Sequence, residues 1–308
     1  MFRANSRQSP AVSLGAFRRL LSLRRIICLV VLLPLVLTVL ACPACADRTR
    51  VRPGFDLFST KQDIQLGEKY SAEMDRQLVL CGDARLDAYL NALGRKLAEH
   101  APGATYPYRF KCVNDEEINA FALPGGFIYI NRGAIEAADS EAQLAGILSH
   151  EIAHVALRHS TNEISKQAPL QMSLAIASGW MGGNTISELL TQLGVHSGMG
   201  LLFLKFSRRD EQQADIVGAQ ILYDTGYDPR ALAQFFEKAE EESKRHRIAF
   251  LNDHPATANR GERVLEEVRR MGGPPAGYRT DSPEFEKMRL AAHDLPQPPQ
   301  KSGEDSDR

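Results

Sequence analysis

His150-Glu151-Ile152-Ala153-His154 places two imidazoles and a carboxylate at the spacing that metal-assisted hydrolysis needs. On a helix, residues four apart lie one turn above each other, so His150 and His154 can offer ring nitrogens to one Zn²⁺. Glu151 sits about 100° around the helix, where it reaches a water without ligating the metal. Zinc brings the pKa of such a water to roughly 7, and the carboxylate is placed to take its proton as the water attacks a carbonyl.

A catalytic zinc takes three protein ligands and keeps one position open. His159 follows nearby, but nine residues at about 100° each turn it to the face opposite His150, so it cannot share the metal while the helix continues. Leu157 and Ser160 stand where the extended H-E-x-x-H-x-x-G-x-x-H pattern needs Gly and His, which excludes that class. The third ligand is therefore expected on another helix. In Glu211-Gln212-Gln213-Ala214-Asp215 two carboxylates share a face four residues apart. Glu211 suits a ligand, and Asp215 suits the acceptor that orients a ligand histidine, His150, through its other N–H.

The elements that hold these groups follow from periodicity. Leu144, Ile147, Leu148, Ile152 and Val155 recur at three- and four-residue spacing, and Ser140 with Gln143 makes a capping-box pattern, so the motif lies inside a buried helix. Residues 61–80, 84–100, 202–223, 229–247 and 256–271 read as further helices. Residues 108–113 and 126–131 read as strands, with Phe127 and Tyr129 on one face and Ile128 and Ile130 on the other. The fold class is α+β, mostly helical with a small sheet beside the active-site helix. Gly125-Gly126 suits either a tight turn or a close approach of substrate backbone to that sheet. Gln167 to Leu204 is apolar with six glycines and one charge, Glu188; it reads as core helices or as a lid or membrane-contacting hairpin.

Four motifs in order resemble a family. H-E-I-A-H-V and F-S-R-x-x-E-x-x-A-D (Phe206 to Asp215) are similar to the zincin-like gluzincin peptidases related to the CAAX prenyl endopeptidase and HtpX, nearest the periplasmic BepA and LoiP branch. Asn119-Ala120-Phe121-Ala122-Leu123-Pro124-Gly125-Gly126 matches the family's N-A-F-A-x-P-G-G, and His254-Pro255 with Arg260 matches its H-P-x-x-x-x-R. The resemblance runs from about Asp56 to Met271. It implies substrate binding at Asn119, Ala120, Phe121, Gly125 and Gly126, and one zinc per chain on His150, His154 and Glu211. It puts His254 beside the metal, as an oxyanion stabiliser or a fourth ligand at rest; Arg260 reads as binding a carboxylate, supporting the oxyanion or making a structural salt bridge. The BepA type carries a C-terminal helical-repeat domain, for which the residues after Met271 are too few.

Arg18, Arg19, Arg24 and Arg25, the apolar run Ile26 to Leu40 and Ala44-Cys45-Ala46 have the layout of a secretory signal peptide over residues 1–46. Val39-Leu40-Ala41-Cys42 offers a competing lipobox, with the signal ending at 41 and Cys42 carrying a lipid anchor to the outer membrane. Residues 47–55 read as a linker, 56–293 as the peptidase domain and 294–308 as a polar, disordered tail. Export leaves Cys81 and Cys112, a pair that is either a disulfide or two buried thiols. It also leaves 31 basic against 38 acidic residues, about −7, which excludes nucleic acid as a natural partner.

The reading is an exported zinc endopeptidase of the periplasm. The resemblance adds quality control of misfolded or misassembled envelope proteins, at the outer-membrane assembly machinery or the membrane. The alternatives are a chaperone-like module whose metal site is mostly closed, and a zinc hydrolase of non-peptide amides.

Overall fold

A computed structural model describes residues 47–168, 190, 206–243, 249–254, 259–274 and 277–297. The signal, most of the 167–204 segment and the end of the tail lie outside them.

Helix α1 (Thr60–Gln77) opens on a capping box between Ser59 and Gln62, and α2 (Ala84–Ala98) on the Asp83 carboxylate. Three short strands follow: β1 (Arg109–Val113), β2 (Ala120–Leu123) and β3 (Phe127–Asn131). Their order is β1-β3-β2, with β3 parallel to β1 and antiparallel to β2. β3 is buried on both faces. Ile128 and Ile130 join the main core with α2 and the active-site helix, while Phe127 and Tyr129 pack with Leu66, Tyr70 and Met74 of α1. The alternation read from the sequence thus separates two cores.

The sheet's outer edges differ. At β1, Asn91 of α2 takes both backbone groups of Phe110, donating to its carbonyl at 2.7 Å and accepting from its N–H at 3.1 Å. Asp87 accepts from Cys112 N–H at 3.4 Å. Cys81, just ahead of α2, is joined to Cys112 of β1 by a disulfide with Cα atoms 5.4 Å apart. This edge is closed by side chains and tied covalently to its helix. Along β2 the comparable cover among the described residues is one bond at its start, Asn119 Oδ1 accepting from Ala120 N–H at 2.9 Å.

After α3 (Arg132–Ala137) comes α4 (Glu141–Ala156), whose sixteen residues are all buried. Ser140 caps it by accepting from Gln143 N–H; the Gln143 side chain returns to the N–H of Asp139, one residue earlier than a capping box requires. α5 (His159–Gln167) follows after a sharp turn. α6 (Arg208–Thr225) opens on a Ser207–Asp210 capping box and runs against α4. A Cβ on Gly218 would stand 3.3 Å from the His150 backbone nitrogen, so a larger residue would press the two helices apart by a few tenths of an ångström. α7 (Arg230–Ser243), α8 (Ala249–Asp253), α9 (Arg260–Arg270) and α10 (Pro283–His293) complete the described helices. The architecture is α+β and mostly helical, as expected.

Candidate metal centre

Helices α4, α6 and α8 bring four buried residues to one point. His150, His154, Glu211 and His254 each aim one donor atom inward, and these atoms lie within 4.8 Å of one another. His150 Nε2 is 3.0 Å from His154 Nε2 and 3.3 Å from His254 Nδ1. Glu211 Oε1 is 3.1 Å from His254 Nδ1 and 3.6 Å from His154 Nε2. Three ring nitrogens and a carboxylate converging this closely, with no apolar side chain between them, form a donor set that a cation would bridge. The residues present fit zinc.

Glu151 lies beside the set. One of its oxygens is 3.3 Å from His254 Nε2, and both are buried without a hydrogen bond. Burial raises the carboxyl's proton affinity. The carboxylate thus faces a ring nitrogen of His254 and makes no hydrogen bond among the described residues.

Behind the donors stands a charged brace. His150 Nδ1 is 3.1 Å from Asp215 Oδ1. Arg260, fully buried at the start of α9, donates to both Asp215 oxygens at 2.7 and 3.1 Å and reaches Glu211 Oε2 at 3.3 Å. Its guanidinium also lies 3.9 Å over the Phe236 ring. Burial lowers the proton affinity of His150, but its bonds to Asp215 and Glu211 more than offset this and hold it up at about 9. Burial alone would raise Asp215 and Glu211; their cationic neighbours instead pull both well down.

The other ligand histidine is backed differently. α4 ends at Ala156, and Arg158 takes a left-handed conformation with φ 60°. Its guanidinium is held by Asp63 at 2.7 and 3.0 Å. The turn swings His159 back, so that its Nδ1 lies 3.0 Å from His154 Nδ1. The expectation that His159 faces away from the motif is corrected here: it assumed a continuous helix, and the helix stops. His159 still supplies no donor to the cluster, because it meets the far side of His154. Burial lowers it to about 4 and lowers His154 well below the usual imidazole range.

The expected substrate residues divide. Phe121 and Ala122 are half-buried on β2, and Ala122 lines a crevice with His154. Gly125 and Gly126 adopt φ 78° and 97° and are buried. A Cβ on Gly125 would lie 2.7 Å from the Ile64 Cα, and one on Gly126 would lie 3.2 Å from the Tyr106 Cβ. The pair forms a tight turn whose backbone lies close to the protein's own α1 and Tyr106. Asn119 and Ala120 are buried as well. Asn119 donates to Asp253 Oδ2 at 2.7 Å, and the Ile118 carbonyl accepts from Phe250 N–H at 3.0 Å. Together these contacts fix α8, whose end carries His254.

Residues 84–268, more than half of the chain, match Peptidase family M48. The match starts at the first residue of α2 and ends in α9. Among similar proteins, the beta-barrel assembly-enhancing protease of Escherichia coli (strain K12) is 33% identical over 217 residues, which cover 66% of this chain and 43% of that protein. The metalloprotease LoiP of the same organism is 28% identical over 184 residues, covering 60% and 69%. The mitochondrial metalloendopeptidase OMA1 of Schizosaccharomyces pombe is 32% identical over 158 residues, covering 50% and 44%. The chain therefore spans less than half the length of the beta-barrel assembly-enhancing protease it matches. The matched span leads to one assignment, with which the buried donor set on α4 and α6 agrees: the chain belongs to peptidase family M48.

Proposed function

We propose that this chain is a zinc-dependent endopeptidase of the cell envelope that hydrolyses misfolded or misassembled proteins. The observation that carries the chemistry is Glu151, buried and without a hydrogen bond beside four converging donors. His150, His154 and Glu211 would hold one zinc, with Asp215 orienting His150. The ion would supply Lewis acidity, bringing a water to a pKa of roughly 7 and polarising the scissile carbonyl. Glu151 takes the proton from the attacking water and later passes it to the leaving amine.

The sheet supports a polypeptide substrate over a small amide. With β1 closed by Asn91 and Asp87, β2 is the edge left to pair with an extended chain from Phe121 onward, its Ala120 N–H being held by Asn119 Oδ1. The envelope setting rests on the signal layout of residues 1–46, on Cys42 as an alternative lipid attachment point, and on the name of the beta-barrel assembly-enhancing protease. Partners are unfolded protein substrates and the outer-membrane assembly machinery. No described helix is long and apolar enough to cross a membrane.

His254 has two candidate roles, and geometry favours one. Its Nδ1 lies inside the donor cluster and its Nε2 faces Glu151, the position of a resting fourth ligand that also occupies the base. A closed resting site is also what the chaperone-like alternative needs.

The test is cleavage of an unfolded reporter protein by the purified full chain. Glu151→Gln should keep zinc and lose turnover, and Glu211→Ala should lose both. Full turnover in Glu151→Gln would sink the mechanism. No turnover in any form, with zinc bound, would favour the chaperone-like reading. His254→Ala should raise turnover; a fall of about 10²–10³ in kcat would assign it to the oxyanion instead.

A further inference from the structure

His154 and His159 face each other through the same atom type, Nδ1 to Nδ1 at 3.0 Å. Only one of the two can carry the hydrogen. Which one does is decided at the other end of His159, whose Nε2 lies 3.3 Å from Gln213 Oε1 and 3.9 Å from Asp210 Oδ1. A carboxylate can only accept, and the amide presents its oxygen, so this nitrogen must donate. Once Nε2 holds the proton of a neutral ring, Nδ1 of His159 is the acceptor, and His154 must donate from Nδ1. His154 is then left with a bare lone pair on Nε2, the atom aimed at His150, His254 and Glu211. The opposite arrangement would put a proton on that Nε2 and make it useless as a ligand.

We propose that His159 is a positioning residue for His154: with Gln213 and Asp210 it forms a relay that fixes the His154 tautomer and ring orientation for metal binding. The proposal rests on the reading of His154 as a ligand. Its structural root is the turn at Arg158. A non-glycine residue at φ 60° is uncommon, and Arg158 is held there by an ion pair to the buried Asp63. That turn carries His159 out of the α4 helical course and against the rear of His154. The arrangement does for His154 what Asp215 does for His150, with a neutral ring and amide in contact and the Asp210 carboxylate 3.9 Å further back.

The experiment measures zinc affinity of the full chain by competition with a chromophoric chelator, and the His154 tautomer of the metal-free protein by long-range ¹⁵N–¹H NMR. Wild type should show His154 protonated on Nδ1. His159→Leu removes the acceptor and should weaken zinc binding by about 10–100-fold while His154 loses its single tautomer. His159→Asn places a carbonyl oxygen near the lost Nδ1 and should recover most of the affinity and the Nδ1–H tautomer. That rescue separates positioning from mere packing, since Leu fills the cavity better than Asn does. His154→Ala, run alongside, tests the ligand reading itself: if it keeps full affinity, that reading fails. If His154→Ala loses zinc but His159→Leu binds like wild type, or if wild-type His154 carries its proton on Nε2, the relay is overturned and the ligand reading stands.

Discussion

The two motif histidines of α4 are one turn apart, yet the protein supports them by different means. Behind His150 stands an ionic brace of Asp215, Arg260 and Glu211, buried and fully charged. Behind His154 stands the neutral ring of His159 with the Gln213 amide, and the Asp210 carboxylate lies 3.9 Å beyond that ring. The first raises the proton affinity of its histidine and the second leaves burial free to lower it. Two carboxylates within reach of one ring would need a second cation if His154 were braced the same way. One charged and one neutral support keep the buried charge balanced around a divalent ion.

The largest way to break this contrast is at Arg260. Arg260→Leu leaves Asp215 and Glu211 buried without their guanidinium, and such a loss costs about 3–5 kcal/mol. Urea denaturation of the metal-free chain should show a destabilisation of this size, and zinc should restore part of it. A change within experimental error would mean the brace is not under electrostatic load.

Asp215→Asn is milder. It keeps the shape and removes the charge behind His150, so zinc affinity should fall by about 10–100-fold with little loss of fold. The pH dependence should change with it. In the metal-free protein His150 is held at about 9, so at pH 7 it carries a proton that zinc must displace. Zinc affinity should therefore rise as pH rises towards about 9, and calorimetry in buffers of different ionisation enthalpy should register release of about one proton per zinc at pH 7. With Asp215→Asn the support for that proton weakens, so the release shrinks and the profile flattens. Binding with no proton release in wild type would refute the charged brace.

Gln213→Leu should have the smallest effect. It removes one neutral hydrogen bond from the far end of the His154 support, worth about 0.5–1.5 kcal/mol, or about 2–10-fold in zinc affinity. A loss as large as that of Asp215→Asn would erase the distinction between the two supports.

The sequence made one support visible and hid the other. Glu211 and Asp215 are four apart on α6, and their common face follows from helical period alone. His159 was set aside by the same arithmetic, because nothing in Ala156-Leu157-Arg158 signals a stop: there is no glycine, and the left-handed residue is an arginine held by Asp63, ninety-five positions earlier in the chain. The same holds for β2. Ala120 to Leu123 alternates too weakly to read as a strand, and pairing with β3 decides it. Asn119 carries no local sign that it reaches across to Asp253. α10, by contrast, was legible in principle: Ser282, Pro283 and Glu284 are a cap, a first-turn proline and a first-turn acid. The long, periodic helices and the core strands were read correctly because local pattern suffices there.

Under the proposed function, the closed edge of β1 matters for another reason. Any bare strand edge is a template on which sticky, extended polypeptide can add and grow, and a protease that met unfolded chains would be at particular risk of being fouled by them. Asn91 and Asp87 stopper one side of the sheet, and the Cys81–Cys112 link keeps the stopper in place. A substrate chain resting on this sheet would thereby be channelled to the β2 side. The same few side chains would protect the molecule from its own substrates and set where one lands.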